Sequence, residues 1–218
     1  MTFKPGSKIP NGPLYRLTWE EEEALMRYLD QMTAEGKIRH SGSQAASPIL
    51  IVKKKDGSLR LCVYYRAINV ITERDVYPLP LITELHDRIQ NATMFTKLDL
   101  KNGYNLIPIA AGEEWKTAFK TKSGLYEYLV MHFSLSNAPA TFQRMMDSVL
   151  LPRTCLYITG EGTCAYLDDV LVYSSKGRKD HIRRVNEVLG LLNKNGLAVN
   201  REKSEVMQEQ VTFLGHIV

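Results

Sequence analysis

Apolar and polar positions along this 218-residue chain change period several times, and each change marks an element. Residues 1–17 are rich in Pro, Gly and Lys, have no sustained period, and predict an extended arm. Thr18 followed by Glu21 makes a capping box, Leu25, Leu29 and Met32 form an apolar stripe, and Gly36 supplies a stop, so a helix is predicted between them. The acidic run Glu20 to Glu23 then reads as a solvated first turn favoured by the helix dipole, not as a metal site. Pro48 to Val52 and Leu59 to Val63 predict two strands around Asp56-Gly57, a hairpin made basic by Lys53, Lys54, Lys55 and Arg60. Leu81, Leu85 and Ile89 mark a second helix, and Met94 to Leu100 alternates like a strand that stops at Lys101-Asn102-Gly103.

Further on, Trp115 to Thr121 and Tyr126 to Met131 flank Ser123-Gly124 as another hairpin. Asn137-Ala138-Pro139 opens a helix carrying Phe142, Met145, Met146 and Val149, with Pro where a helix start tolerates it. Residues 152–164 lack a clear period and predict an irregular link to a buried hairpin from Ala165 to Tyr173. Ile182, Val185, Leu189 and Leu192 predict a helix from Asp180 to Asn195, ended by Gly196, and Val211 to Val218 reads as a strand. Strands and helices interleave irregularly, with several hairpins and no Gly-rich phosphate loop, which favours α+β over a doubly wound parallel sheet.

Composition narrows the class. With 44% hydrophobic and 24% charged residues the chain is an ordinary globular sequence, long enough to bury a substantial core as one large domain or two subdomains. A net charge of +4 is too small to imply a nucleic-acid partner by itself, so any such attraction has to come from local patches. Cys62, Cys155 and Cys164 are odd in number and lack metal-ligand spacing, which points to a reducing compartment and no zinc site. No apolar run approaches the ~20 residues needed to cross a bilayer, and no secretory leader is recognisable, so a soluble, intracellular protein without a membrane partner is expected.

The chemistry is concentrated in carboxylates. Tyr166-Leu167-Asp168-Asp169 sets two adjacent acids between apolar neighbours, a setting that demands a cation or dense donors in place of lost water. Asp99 ends a second apolar strand. If the two strand ends lie side by side, the acids make a hard oxygen cluster suited to Mg²⁺, and two such ions about 3.5–4 Å apart are the usual apparatus of in-line phosphoryl transfer.

Four stretches occur in order: Leu98-Asp99-Leu100-Lys101-Asn102-Gly103-Tyr104, Ser136-Asn137-Ala138-Pro139-Ala140-Thr141-Phe142-Gln143, Tyr166-Leu167-Asp168-Asp169 and Phe213-Leu214-Gly215-His216. Together they resemble the palm motifs of reverse transcriptases. The segments between them, such as Leu61-Cys62-Val63, Trp115-Lys116-Thr117-Ala118-Phe119 and Gly124 to Met131, are similar to the gypsy-type long-terminal-repeat retrotransposon polyprotein, from about Lys4 to Val218. The resemblance implies a right-hand polymerase fold. Its fingers would be about 1–74 and 107–137, its palm about 75–106 and 138–218, with a ferredoxin-like antiparallel palm sheet backed by helices, and with the thumb absent.

It further implies an RNA-directed DNA polymerase that joins a deoxynucleoside triphosphate to a primer 3′-hydroxyl on an RNA or DNA template. Asp99 and Asp168 would hold two Mg²⁺ ions, with Mn²⁺ as a substitute, the Leu100 carbonyl would add a ligand, and Asp169 would complete the acidic set. Tyr104 resembles the steric gate against a ribose 2′-hydroxyl. Lys54 and Arg60 match the triphosphate grip, a role a mobile ammonium and a fixed guanidinium suit. Asn102 and Gly103 would offer backbone amides, Phe133 a flat ring, and Lys203 a late palm lysine near the pyrophosphate. Gln143 and Tyr166 would face template or primer, and Phe213, Leu214 and Gly215 would begin the primer grip. Other retroelement polyprotein products are the further partners implied, in the cytoplasm, a virus-like particle or the nucleus.

The chain also departs from the family. His132-Phe133-Ser134-Leu135 replaces Pro-Phe-Gly-Leu, and Tyr64 stands where Asp is usual. A Cβ at Ser134 would hinder close backbone approach or a positive φ. The link from Gln143 to Tyr166 is longer than in relatives, and Gly162-Thr163-Cys164-Ala165 should weaken the strand that positions Asp168. Lack of a thumb would lower processivity. These departures support the alternative, an inactive retroelement fragment or domesticated fold that at most binds nucleic acid, whereas retention of all three aspartates supports the enzyme. A nucleotide cyclase lacks its Gly-Gly-acidic turn here.

Overall fold

In chain order the elements of the computed structural model are α1 (Trp19–Ala34), β1 (Ile38–His40), β2 (Ile49–Lys53), β3 (Leu59–Val63), α2 (Arg66–Ile71), α3 (Ile82–Ile89), β4 (Met94–Leu100), β5 (Phe119–Thr121), β6 (Gly124–Tyr128), α4 (Ala138–Leu150), β7 (Gly162–Tyr166), β8 (Asp169–Ser174), α5 (Arg178–Lys194), β9 (Val199–Gln208), β10 (Thr212–Phe213) and β11 (His216–Ile217). The structure describes residues 1–54, 57–101, 103–150 and 162–218. Cys155, Lys55, Asp56, Asn102 and most of the predicted irregular link lie outside the described residues. The chain forms two units, Met1–Arg74 with Ile107–Ala138 and Asp75–Leu106 with Pro139–Val218.

In the first unit, the capping box fixes the start of α1: Thr18 Oγ1 accepts from the Glu21 N–H at 3.3 Å, and Glu21 Oε2 accepts from the Thr18 N–H at 2.8 Å. Leu25, Leu29 and Met32 are its buried stripe, and Gly36 leaves the helix at φ +66°. Strand order β1-β6-β5 makes one antiparallel sheet, and β2 pairs with β3 from Ile49↔Val63 to Lys53↔Leu59. Tyr65, Phe119 and Tyr128 are fully buried in its core. The predicted strand at Trp115 begins instead as a 3₁₀ turn, Glu114–Thr117, because the Thr117 hydroxyl bonds the Glu114 carbonyl at 2.7 Å and the Lys116 N–H bonds the Glu113 carbonyl at 3.1 Å. β6 ends at Tyr128, after which Leu129 N–H bonds Lys37 and Met131 N–H bonds Ile107.

The second unit is built on a four-stranded antiparallel sheet of order β7-β8-β4-β9. Cross-strand partners share a face, so Thr96, Leu98, Val170, Val172 and Ser174 face one way and meet α5, where Val185, Val188 and Leu192 are buried. Within this layer His181, wholly buried, bonds Thr96 Oγ1 through Nε2 at 2.8 Å and Ser174 Oγ through Nδ1 at 2.9 Å. On the opposite face Phe95, Leu171 and Tyr173 pack with Leu85 and Ile89 of α3 and with Val211 and Phe213.

Two strand expectations are corrected here. The segment Gly162-Thr163-Cys164 belongs to β7, paired with Tyr173, Val172 and Leu171, so the ladder of β8 imposes a strand on residues with weak strand propensity. Residues 211–218 form a hairpin and not a continuous strand, since Leu214 and Gly215 both take positive φ, +51° and +84°, and reverse the chain between β10 and β11. Among the described residues no helix is long and apolar enough to cross a membrane.

Candidate active site

Asp99 is the penultimate residue of β4 and lies directly opposite Asp169, the first residue of β8. Leu167 and Asp168 form the two-residue turn that joins β7 to β8, because Tyr166 and Asp169 are the last paired residues. That turn puts Leu167 at φ +56°, a conformation an L side chain adopts at a cost of roughly 1–2 kcal/mol and that hairpin turns usually give to Gly or Asn. The Leu100 N–H donates to the Asp168 carbonyl at 3.3 Å, tying the turn to the end of the neighbouring strand. Asp99, distant in the chain from Asp168 and Asp169, is therefore brought to the same end of the sheet as both.

Burial differs among them. Asp168 is exposed at the turn, which corrects the expectation that both adjacent acids are buried; Asp169 and Asp99 are half-buried. The Asp169 carboxyl is raised above the ordinary range by burial, lowered by the Lys97 ammonium, and raised again by the charges of Asp168 and Asp99. Lys97 Nζ stands 3.7 Å from Asp169 Oδ1 and donates to the Thr212 carbonyl at 3.0 Å. Lys97 lies two residues before Asp99 on the same face, a signal the alternation holds but that is hidden by the strand's apolar neighbours.

On its other edge β4 meets β9 through a register shift. Lys97 opposes Glu205 while Asp99 opposes Asn200, and Ser204 fills the gap, its hydroxyl accepting from the Asp99 N–H at 3.1 Å and donating to the Asn200 carbonyl at 2.6 Å. β9 is highly charged and without apolar alternation, which is why it escapes sequence reading, and Lys203 stands exposed on it.

Behind the acids, Gly103 is buried against Phe142, whose ring would lie 2.7 Å from an added Cβ, so only glycine fits. Tyr104 stacks on the same ring at 4.6 Å and 26°. Its phenol is pushed up to about 12, first by burial and then by the Asp168 charge, and so stays neutral beside the acids. Gln143 and Phe213, assigned by resemblance to template or primer, are wholly buried. Tyr166 and Leu214 are partly buried against the apolar cluster, and Gly215 is exposed in the hairpin turn. Gln143 bonds the β7–β8 turn and the strand residue before it, accepting from the Leu167 N–H at 2.9 Å and donating from Nε2 to the Ala165 carbonyl at 3.1 Å.

Lys54, Arg60 and Phe133 belong to the first unit. Val52 pairs with Arg60 and Lys54 lies two residues beyond Val52, so alternation carries both cations on one face of the hairpin, both exposed. Phe133 is 46% exposed and stacks on buried His132 at 4.4 Å. Ser134 takes no positive φ, its N–H and hydroxyl meet His132 Nδ1 at 3.2 and 2.7 Å, and the hydroxyl donates to the Val63 carbonyl at 3.0 Å. The Cβ at this position is thus accommodated by the local backbone.

Among the described residues no three His, Cys, Asp or Glu side chains are drawn into a ready metal cage. The donor chemistry nonetheless fits a hard divalent cation: two carboxylates stand directly opposed with a third on the adjoining turn, the charges of Asp168 and Asp99 push the Asp169 carboxyl up, and a cation relieves that repulsion.

A family model described as reverse transcriptase (RNA-dependent DNA polymerase) matches residues 52–218. The Tf2-3 and Tf2-7 transposon polyproteins of Schizosaccharomyces pombe are each 38% identical over 202 residues, which is 93% of this chain and 15% of theirs. This chain thus spans about 15% of the length of these relatives. In structure, it is similar to a foamy viral protease-reverse transcriptase in complex with an RNA/DNA hybrid, at TM-score 0.86 and 22% identity over 99% of this chain and 28% of that one. A second form of that protein, in complex with double-stranded DNA, matches at TM-score 0.86 and 23% identity over 98% of this chain and 36% of that one. The right-hand polymerase fold and the family match agree, and the chain belongs to the reverse transcriptase family, RNA-directed DNA polymerases that are nucleotidyltransferases.

Proposed function

We propose that this chain extends a primer 3′-hydroxyl on an RNA or DNA template, with the unit Asp75–Leu106 and Pro139–Val218 acting as palm and the unit Met1–Arg74 and Ile107–Ala138 as fingers. The observation that carries the reading is the direct pairing of Asp99 with Asp169, with Asp168 on the adjoining turn, in a chain of this family. Asp99 and Asp168 would supply the oxygens that hold Mg²⁺ or Mn²⁺, Leu100 its carbonyl, and Asp169 further charge. Two such ions, when bound, lower the pKa of the attacking hydroxyl and offset charge on the departing pyrophosphate.

The chain's own groups do the rest. Tyr104, neutral and braced by Phe142, blocks a ribose 2′-hydroxyl and so selects deoxynucleotides. By family resemblance Lys54, Arg60, Gly103 and Lys203 are assigned to the incoming nucleotide, the two exposed cations of the first unit being suited to a triphosphate. The exposed Phe133 ring offers a stacking plane for base or sugar. Tyr166 and the Leu214-Gly215 turn serve template and primer, Phe213 as the buried root of that hairpin and Gln143 through the turn it bonds. Other products of the polyprotein would complete the working assembly.

Primer extension on an RNA template with Mg²⁺ or Mn²⁺ tests this, comparing wild type with Asp168→Asn. Incorporation that disappears in the variant supports the reading. Equal silence from both folded proteins, with duplex binding retained, replaces it with a fold that binds nucleic acid without catalysis.

A further inference from the structure

The turn that carries Asp168 is held from behind by a chain of side chains that all lie in the second unit. Gln143, wholly buried on α4, uses every part of its amide: Nε2 donates to the Ala165 carbonyl at 3.1 Å and to Asp147 Oδ1 at 2.9 Å, and Oε1 accepts from the Leu167 N–H at 2.9 Å. Ala165 and Leu167 bracket Tyr166, so these bonds grip the last strand residues and the first turn residue, where φ is +56°. A side-chain amide can sit either way round. Reversed, its oxygen would face the Ala165 carbonyl and the Asp147 carboxylate, and its NH₂ would face the Leu167 N–H, three repulsive contacts in a dry site. Asp147 is the charged member of that set and so weights the choice most strongly.

Asp147 is itself placed. Its Oδ2 accepts from the Tyr77 hydroxyl at 2.6 Å. Tyr77 belongs to a segment with no helix or strand, yet it is fixed on three sides: its N–H bonds Asp75 Oδ1 at 3.0 Å, its ring lies 4.7 Å from the Arg144 guanidinium, and its hydroxyl meets Asp147. Arg144 in turn donates to both Asp75 oxygens at 2.8 Å. Residues 143, 144 and 147 occupy one turn of α4 and the start of the next, so a single helix face carries the relay.

We propose that Asp147 and Tyr77 are positioning residues of the polymerase site, which through the Gln143 amide fix the turn that presents Asp168 and Asp169. The inference rests on the polymerase reading but has a consequence that does not need turnover. Amide hydrogen exchange on the free chain reads the Leu167 N–H directly: Asp147→Ala and Tyr77→Phe should speed it by about tenfold or more, the scale of one lost buried hydrogen bond, while Val170 in β8 exchanges as before. In single-nucleotide incorporation Asp147→Ala should lower kcat by about tenfold, leaving nucleotide KM and duplex affinity within about twofold, and Asp147→Asn, which keeps an acceptor oxygen, should recover most of it.

Unchanged Leu167 exchange in both folded variants overturns the relay, as does a loss that falls on KM or duplex binding alone. If Asp147→Ala does not fold, Tyr77→Phe, which removes one oxygen atom, decides the matter. A wild type that exchanges as described but incorporates nothing would refute the polymerase reading and leave the relay standing.

Discussion

Acid should loosen the first unit through one residue, His132. Its ring is 4% exposed and lies against Tyr65 and Tyr128 at centroid distances of 5.5 and 4.9 Å, both phenols being pushed well above their ordinary range by burial and so neutral. Burial lowers the His132 pKa from 6.5 to about 4. A base whose folded pKa is depressed leaves stability untouched above the unfolded pKa and loses it below, because the unfolded chain takes up a proton that the folded chain refuses. Between pH 6.5 and about 4 the loss is about 3 kcal/mol at 1.36 kcal/mol per unit. Urea unfolding followed from pH 7 to 4, wild type beside His132→Gln, isolates this residue from the carboxylates that titrate in both. The variant should start less stable at pH 7 and lose about 3 kcal/mol less on acidification. Parallel stability curves for the two proteins would refute the argument.

Gly103→Ala should lower stability by about 1–3 kcal/mol, since its Cβ would meet the fully buried Phe142 ring at 2.7 Å, and thermal melting would register it as a drop in Tm. Leu214→Asn should raise stability by about 0.5–1 kcal/mol, because Asn tolerates the φ of +51° and an Asn-Gly pair suits two consecutive positive-φ positions; an unchanged or lower Tm would contradict that account of the turn. Thr18→Ala removes one half of the capping box and should cost about 1 kcal/mol in urea unfolding, with helical circular dichroism lowered and the sheets intact.

What could be read without coordinates follows the strength of local signals. The capping box of Thr18 and Glu21 and the stripe of Leu25, Leu29 and Met32 define α1 almost to the residue, as physics local to one helix should. The alternation from Met94 to Leu100 likewise yields β4. Elements whose order comes from partners are the ones missed: β1 has three residues and exists as the companion of β6, and β9 is a charged ribbon held by β4. At the site, the acids are visible as residue types, but the exposure of Asp168 depends on the turn starting at Leu167, which no apolar period announces. The bonds of Gln143 to Ala165 and Leu167 cross a stretch of chain with no pattern linking its ends, and neither Asp147 nor Tyr77 advertises a role by its neighbours.

Asp99 and Asp169 stand opposite one another in the sheet although 70 residues of chain separate them. A ribosome adding roughly 5–20 residues per second emits Asp99 some 4–14 s before its partner exists. Through that interval β4 has neither of its neighbours, because β8 and β9 are both still unmade, and its apolar face waits for cover. Translation speed across residues 101–168 is therefore a determinant of how much chain reaches the native sheet, and slowing it should increase the share captured by chaperones or lost to aggregation.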